Sequence, residues 1–177
     1  MTIVPFLTPP GILGEIVTRT EHDLRSAGSS SERLSNRVRE DPVRDFAKAL
    51  GESSLGLIAE YKRKSPSAGS LNASLSVEDV ARLYQPYASA ISVLCNEPYF
   101  DGHFEFLARM RKATDLPLLC KEFIISTEQI DRAFRCGADA VLLMASLLPQ
   151  DSLNALLEHT HQLEMEALVE IHTKEEL

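Results

Sequence analysis

A chain of 177 residues with 44% hydrophobic and 25% charged residues has the make-up of an ordinary globular protein, long enough for one sizeable core. Its net charge of −8, with no basic run beyond Lys62-Arg63-Lys64, argues against a nucleic-acid partner, whose phosphates require clustered Lys and Arg. The longest clean apolar run, Ala140 to Ala145, is too short to cross a bilayer, and the Pro-rich stretch Met1 to Leu13 lacks the basic residues of a secretory signal.

The first 56 residues read as a helical preface. Pro9 and Pro10 precede a periodic stretch, Ile12-Leu13-Ile16-Val17, with Leu24 beyond it. Gly28-Ser29-Ser30-Ser31 marks a break. A short helix is expected up to Glu40 and another from Pro42 to Leu50. The apolar content of residues 1–56 is too small for a core of its own, so this extension is expected to cover either the mouth or the bottom of the domain formed by residues 57–177.

From residue 57 onward, strand and helix patterns alternate. Apolar runs fall near 57–61, 90–95, 117–123, 140–145 and 166–172, spaced at about the length of one βα unit. Ser76-Val77-Glu78-Asp79 opens the first intervening helix as a capping box, with Val77, Val80, Ala81 and Tyr84 at helical spacing. Ser126-Thr127-Glu128-Gln129 is a second capping box, and Gly137 supplies that helix's stop. Leu153, Leu156, Leu157 and Leu163 give the last complete helix its apolar face. Thr173 to Leu177 reads as the start of a fifth helix. This alternation predicts an all-parallel sheet with helices outside it.

Cys95, Cys120 and Cys136 show no CxxC or other metal spacing and are expected to be buried free thiols in a reducing cytosol. With neither a signal pattern nor a bilayer-spanning run in the sequence, the protein is expected in the cytoplasm. Among the five histidines, His159 and His161 diverge on a helix and cannot share a metal. No glycine-rich dinucleotide fingerprint follows any strand. No metal or organic cofactor is implied.

The chemistry is concentrated at strand ends. Leu57-Ile58-Ala59-Glu60-Tyr61-Lys62-Arg63-Lys64 begins as an apolar strand and finishes in alternating charge before a Ser65-Pro66-Ser67 turn. Alternation sends Glu60 and Lys62 to one face and Tyr61 and Arg63 to the other. Charges at the end of an apolar strand are costly unless they meet ligand, water or each other. The strands ending in Lys121-Glu122-Phe123 and Glu170-Ile171-His172 finish in the same way. Glu60, Lys62, Lys121 and Glu170 all lie on odd-numbered strands, and alternate strands of a parallel barrel fill the same interior layer. Two readings fit: a polar active site ringed by strand ends, or a plug of ion pairs closing the barrel. His172 either lines the same mouth or is solvated.

These residues also carry a resemblance. Ile58-Ala59-Glu60-Tyr61-Lys62-Arg63-Lys64-Ser65-Pro66-Ser67 resembles the first-strand signature of the indole-3-glycerol phosphate synthase family. Ala90-Ile91-Ser92-Val93-Leu94 with Tyr99-Phe100-Asp101-Gly102 is similar to that family's second strand and following loop. Leu118 to Ile125, Gly137 to Leu143 and Leu168 to His172 resemble its third, fourth and fifth strands. The resemblance implies a (β/α)8 TIM-barrel type of α/β fold, here truncated to about five βα units with an N-terminal helical extension. The family's later motifs do not occur in this sequence, so it reads as an N-terminal portion of a barrel enzyme.

The implied reaction is ring closure, decarboxylation and dehydration of 1-(o-carboxyphenylamino)-1-deoxyribulose 5-phosphate, a lyase step of tryptophan biosynthesis. By the resemblance, Lys121 is the general acid at ring closure and Lys62 meets the substrate carboxylate. Glu170 serves the dehydration, and Glu60 positions the lysines and the anilino nitrogen. Ser65 lies near the phosphate or is simply a turn residue. Phe100 and Phe123 wall the aromatic ring. One departure stands out: the family usually has Lys-Asp-Phe where this chain has Lys121-Glu122-Phe123. Glu122 is expected in the outer layer, as a tolerated change or with a shifted partner. The alternative reading is a non-catalytic barrel portion that assembles with itself, a fused neighbour or a complementary chain through its open edge strands. A different phosphate-binding barrel, such as the isomerase of the same pathway, fits the Glu60, Lys62 and Lys121 set less well.

Overall fold

A computed structural model describes residues 2–26, 38–52, 54–71 and 75–177. Its centre is a five-stranded parallel sheet in sequence order: β1 Ile58–Tyr61, β2 Ala90–Leu94, β3 Leu118–Lys121, β4 Ala140–Met144 and β5 Glu166–Glu170. This is the strand order expected of consecutive βα units. The fold is an α/β architecture of the TIM-barrel type. One hairpin departs from the all-parallel expectation: Lys64–Ser65 pairs antiparallel with Gly69–Ser70 around the Pro66-Ser67 turn.

The helices are α1 Ile12–Ser26, α2 Phe46–Gly51, α3 Val77–Tyr84, α4 Glu97–Phe100, α5 Phe104–Ala113, α6 Thr127–Arg135 and α7 Gln150–Gln162. Both predicted capping boxes form: Ser76 with Asp79 at the start of α3, and Ser126 with Gln129 at the start of α6. Gly137 follows α6 at φ +92, where a Cβ would meet the Arg111 side chain at 2.9 Å. A residue with a side chain there is therefore both strained and crowded. Four expectations differ from the structure. The helix placed at Pro42 to Leu50 begins at Phe46, because Arg39 and the Arg44 amide are engaged by the buried Asp139 and Asp45 caps the helix at Lys48 N, 2.8 Å away. The loop after β2 contains a helical turn, α4. The presumed fifth helix is a three-residue 3-10 turn, Lys174–Glu176. The helix expected to end at Glu40 is absent from residues 38–40; its remainder and the Gly28–Ser31 break lie outside the described residues.

The core divides by sheet face. Val93, Cys95, Cys120, Val141 and Leu143 point to the outer layer and meet helix residues such as Leu107, Met110, Ile130 and Leu156. The inner face is lined near its base by Ile58, Ala90, Leu119 and Ala140, and Phe46 of α2 closes it from below. All three cysteines are buried, and none is in a disulfide.

The N-terminal segment reaches both ends of the sheet. Val4 N donates to Ile125 O and Leu7 N to Leu147 O, on loops that follow β3 and β4, so residues 2–8 lie at the mouth. Residues 39–44 lie at the opposite end. There Asp139 is fully buried and accepts from Arg39 Nη2 (2.8 Å), the backbone amide of Arg44 (2.8 Å), Arg111 Nη1 (2.8 Å) and the backbone amide of Leu118 (2.9 Å). Such a carboxylate is tolerable in the interior because every donor around it is charged or a backbone amide.

Candidate active site at the strand ends

The C-terminal ends of the five strands form a cavity of about 190 Å³. Its walls are Glu60 and Lys62 from β1, Leu94 and Phe100 from β2 and its loop, Lys121, Glu122 and Phe123 from β3, Leu142 and Met144 from β4, and Glu170 from β5. Of the seven residues singled out in the sequence, six line this one cavity. Ser65 does not. It sits in the hairpin beyond β1, where its hydroxyl accepts from Ala68 N at 3.1 Å and meets the Ser67 hydroxyl at 3.5 Å.

Glu60 is the hub. One carboxylate oxygen lies 2.6 Å from Lys62 Nζ and the other 2.6 Å from Lys121 Nζ. Burial works against its charge, but hydrogen bonds from Lys121 and Lys62 outweigh this and hold the carboxyl below the usual carboxylate range. The two lysine side chains stay about a third exposed and line the cavity as well as meeting Glu60. Alternation explains the complementary placement of Tyr61. It is buried on the outer face, with its ring edge-on to Phe106 at 5.6 Å.

Glu170 lines the cavity from β5, and its carboxylate lies 2.9 Å from His172 Nε2. His172 itself is mostly exposed. Phe100 and Phe123 stand side by side, with ring centroids 5.9 Å apart and planes tilted by 30°. Glu122 is more deeply buried than a peripheral substitution would be. It is 6% exposed, and it accepts from Asn96 Nδ2 at 3.0 Å and from Phe123 N at 2.8 Å. Burial pushes its carboxyl up to about 7 against those hydrogen bonds.

Sequence reasoning missed Leu94, Leu142 and Met144. They belong to the even-numbered strands, and the inward positions of those strands carry no charge to mark them. It also missed Asn96, whose role depends on a helical turn too short to show periodicity.

A parallel sheet wound with outer helices, carrying paired ammonium and carboxylate groups at its strand ends, is an α/β architecture of the TIM-barrel type with a polar cavity at the end where such barrels place their sites. The chain belongs to the indole-3-glycerol phosphate synthase family, whose model matches residues 13–177. It is 40% identical over 170 residues to an indole-3-glycerol phosphate synthase of Bacteroides thetaiotaomicron, covering 94% of this chain and 65% of that protein. It is 41% identical over 172 residues to one from Prochlorococcus marinus strain MIT 9215, covering 94% of this chain and 58% of that protein. A protein of Vibrio parahaemolyticus named tryptophan biosynthesis protein TrpCF is 42% identical over 134 residues, covering 76% of this chain and 28% of that one. The chain thus spans less than two thirds of the length of these relatives.

Proposed function

We propose that this cavity is part of an indole-3-glycerol phosphate synthase site that acts on 1-(o-carboxyphenylamino)-1-deoxyribulose 5-phosphate in the cytosol. The observation that carries the reading is the hub itself: two ammonium groups held 2.6 Å from the two oxygens of Glu60, beside a pair of phenyl rings. An anionic aromatic substrate needs both features.

In this reading the aryl ring lies against Phe100 and Phe123, and its carboxylate meets Lys62. The ring carbon that bears the carboxylate attacks the substrate carbonyl carbon, while Lys121 delivers a proton to the carbonyl oxygen. Carbon dioxide then leaves, and its bonding electrons restore the aromatic ring. The new hydroxyl takes a proton from Glu170 and leaves as water, pushed by the anilino nitrogen's electrons through the ring. The methylene carbon beside nitrogen then loses a proton, which returns to Glu170, and its C–H electrons form the second ring's double bond. Glu60 holds the two lysines apart and aims them. Ser65 is assigned to the phosphate end through its hairpin. The barrel portion is taken as residues 57–177 and the extension as 1–56.

The second reading rests on the sheet edges. Leu57 before β1, and Leu168, Val169 and Ile171 on and after β5, are between a third and a half exposed. Such edges suit pairing with further βα units, in the same chain, a fused neighbour or a second copy.

The function is tested by joining residues 1–177 to the carboxy-terminal third of the Bacteroides relative and following indole-3-glycerol phosphate by its fluorescence. The expected result is turnover on the order of 1 s⁻¹ or more. A folded, substrate-binding chimera that forms no product would overturn the assignment.

A further inference from the structure

The two phenyl rings of the cavity come from different strand ends, yet one pair of polar side chains braces both. After β2 the chain turns through Asn96 into α4. Asn96 Oδ1 accepts from Tyr99 N at 3.3 Å, and its carbonyl accepts from Phe100 N at 3.3 Å and Gly102 N at 3.0 Å. Gly102 must come this close: a Cβ there would lie 2.5 Å from the Leu94 carbonyl oxygen. Asn96 therefore fixes the turn that carries Phe100. After β3, Glu122 Oε1 accepts from Phe123 N at 2.8 Å and from Asn96 Nδ2 at 3.0 Å. A single carboxylate oxygen thus binds the amide of one aromatic residue and the cap of the other.

We propose that Asn96 and Glu122 form a positioning pair that sets the geometry of Phe100 against Phe123, and with it the fit of the substrate's aryl ring. The proposal rests on the aryl-binding reading above. Neither residue reaches the reacting atoms; both act through the rings they brace. Two features favour this role over simple packing. Asn96 and Glu122 are 5% and 6% exposed, and a carboxyl is a costly way to fill such a site when an apolar side chain of similar size would serve. Both hydrogen bonds to Oε1 also lead, within one residue or one turn, to a ring of the cavity wall. Aromatic contacts depend on ring separation and tilt, so a shift of either turn alters the wall without touching the lysines.

The test uses residues 1–177 joined to the carboxy-terminal third of the Bacteroides relative, with the ring-current proton shifts of Phe100 and Phe123 as one readout and fluorescence titration with anthranilate as the other. Glu122→Ala and Asn96→Ala should each move the shifts of both rings and weaken anthranilate binding by about 3- to 10-fold, the worth of an aromatic contact. Glu122→Gln, whose amide oxygen accepts the same two bonds, should keep the parent's shifts and bind within about twofold. Should Glu122→Ala fail to fold, Asn96→Ala and Glu122→Gln still decide the matter. Unmoved rings with parent-like binding in Asn96→Ala, or a Glu122→Gln protein with displaced rings, would overturn the proposal. The reading beneath it has its own control. If Phe100→Ala and Phe123→Ala bind anthranilate as the parent does, the aryl-binding assignment falls, and the bracing role with it.

Discussion

Glu60 on β1 and Lys121 on β3 meet at 2.6 Å across the strand that separates them. Two strand spacings put their backbones roughly 9–10 Å apart, so both side chains must lean over β2. The residue of β2 in register with Glu60 is the small Ser92, and the one in register with Lys121 is Leu94. The same carboxylate takes Lys62 on its other oxygen, and the two cations are thereby held apart on one anion. Neither lysine is consumed by this arrangement, because each retains enough exposure to meet a ligand.

The hub separates two expected kinetic signatures. In the completed barrel, Lys121→Ala removes proton donation in the transition state and should lower kcat by on the order of 10² to 10⁴, with less effect on substrate affinity. Lys62→Ala removes an ion pair with the substrate carboxylate and should raise KM as well. Steady-state kinetics on both variants checks this. Near-parent turnover by Lys121→Ala would end its role as the acid, and an unchanged KM with much reduced kcat would recast Lys62 as purely catalytic.

The inward pointing of Glu60, Lys62, Lys121 and Glu170 was legible because strand alternation is rigid and charges ending apolar runs have few places to go. Strand order was legible from unit spacing. Ser65 was legible as a turn residue but not in its place off the cavity, which depends on the pairing of Lys64–Ser65 with Gly69–Ser70 that turns its hydroxyl to Ala68 N. Glu122 was legible in direction but not in depth. Alternation correctly sends it away from the lysine face, but the outer layer at that level is buried and holds Asn96 as a partner. The arginine clamp on Asp139 joins residues about 100 positions apart, a relationship no local pattern reveals.

That clamp predicts a large stability effect. Asp139→Ala would leave the buried Arg39 and Arg111 guanidinium groups without their anion and should destabilise the chain by about 3–5 kcal/mol. The exposed pair of Glu78 with Arg109 at 2.6 Å is the contrast. Arg109 brings the Glu78 carboxyl down to about 2, yet water screens the pair, and Glu78→Ala should cost no more than about 1 kcal/mol. Urea denaturation of the two variants would decide it; equal losses would show that burial is not what distinguishes them.

Glu122 predicts an unusual pH dependence. Its folded carboxyl titrates at about 7 instead of 4.5 because burial disfavours the charge. Between those values the folded chain holds a proton that the unfolded chain has released, so this residue's contribution to stability falls as pH rises through that window. The loss is at most about 3 kcal/mol. Arg132 of α6 eases the charge, and Arg19, Asp23, Glu97 and His103 line the cavity on its far side. Glu122→Gln carries no titrating group. It should match the parent near pH 5 and exceed it by pH 8. Stability curves that run parallel across this range would refute the burial argument.

The sheet edges predict association. Among the described residues, β1 and β5 each pair on one side only, and Leu57, Leu168, Val169 and Ile171 stay partly open to water. An unpaired strand presents backbone donors and acceptors along with apolar side chains, and another chain can satisfy both. The chain alone should therefore self-associate at micromolar concentrations. It should also form little or no indole-3-glycerol phosphate, since barrels of this kind build much of their phosphate grip from the loops after strands seven and eight. Remote binding of the phosphate is what orients the reacting ring, so acid–base residues without that grip have little to act on. Light scattering on the purified chain reads the first expectation, and the fluorescence assay reads the second. Supplying the carboxy-terminal third of the Bacteroides relative as a separate chain should convert the self-associated material to a one-to-one complex and bring turnover with it. A monodisperse monomer of residues 1–177 that turns over at about 1 s⁻¹ would show that its open edges cost it nothing and that this segment needs no further βα units to act.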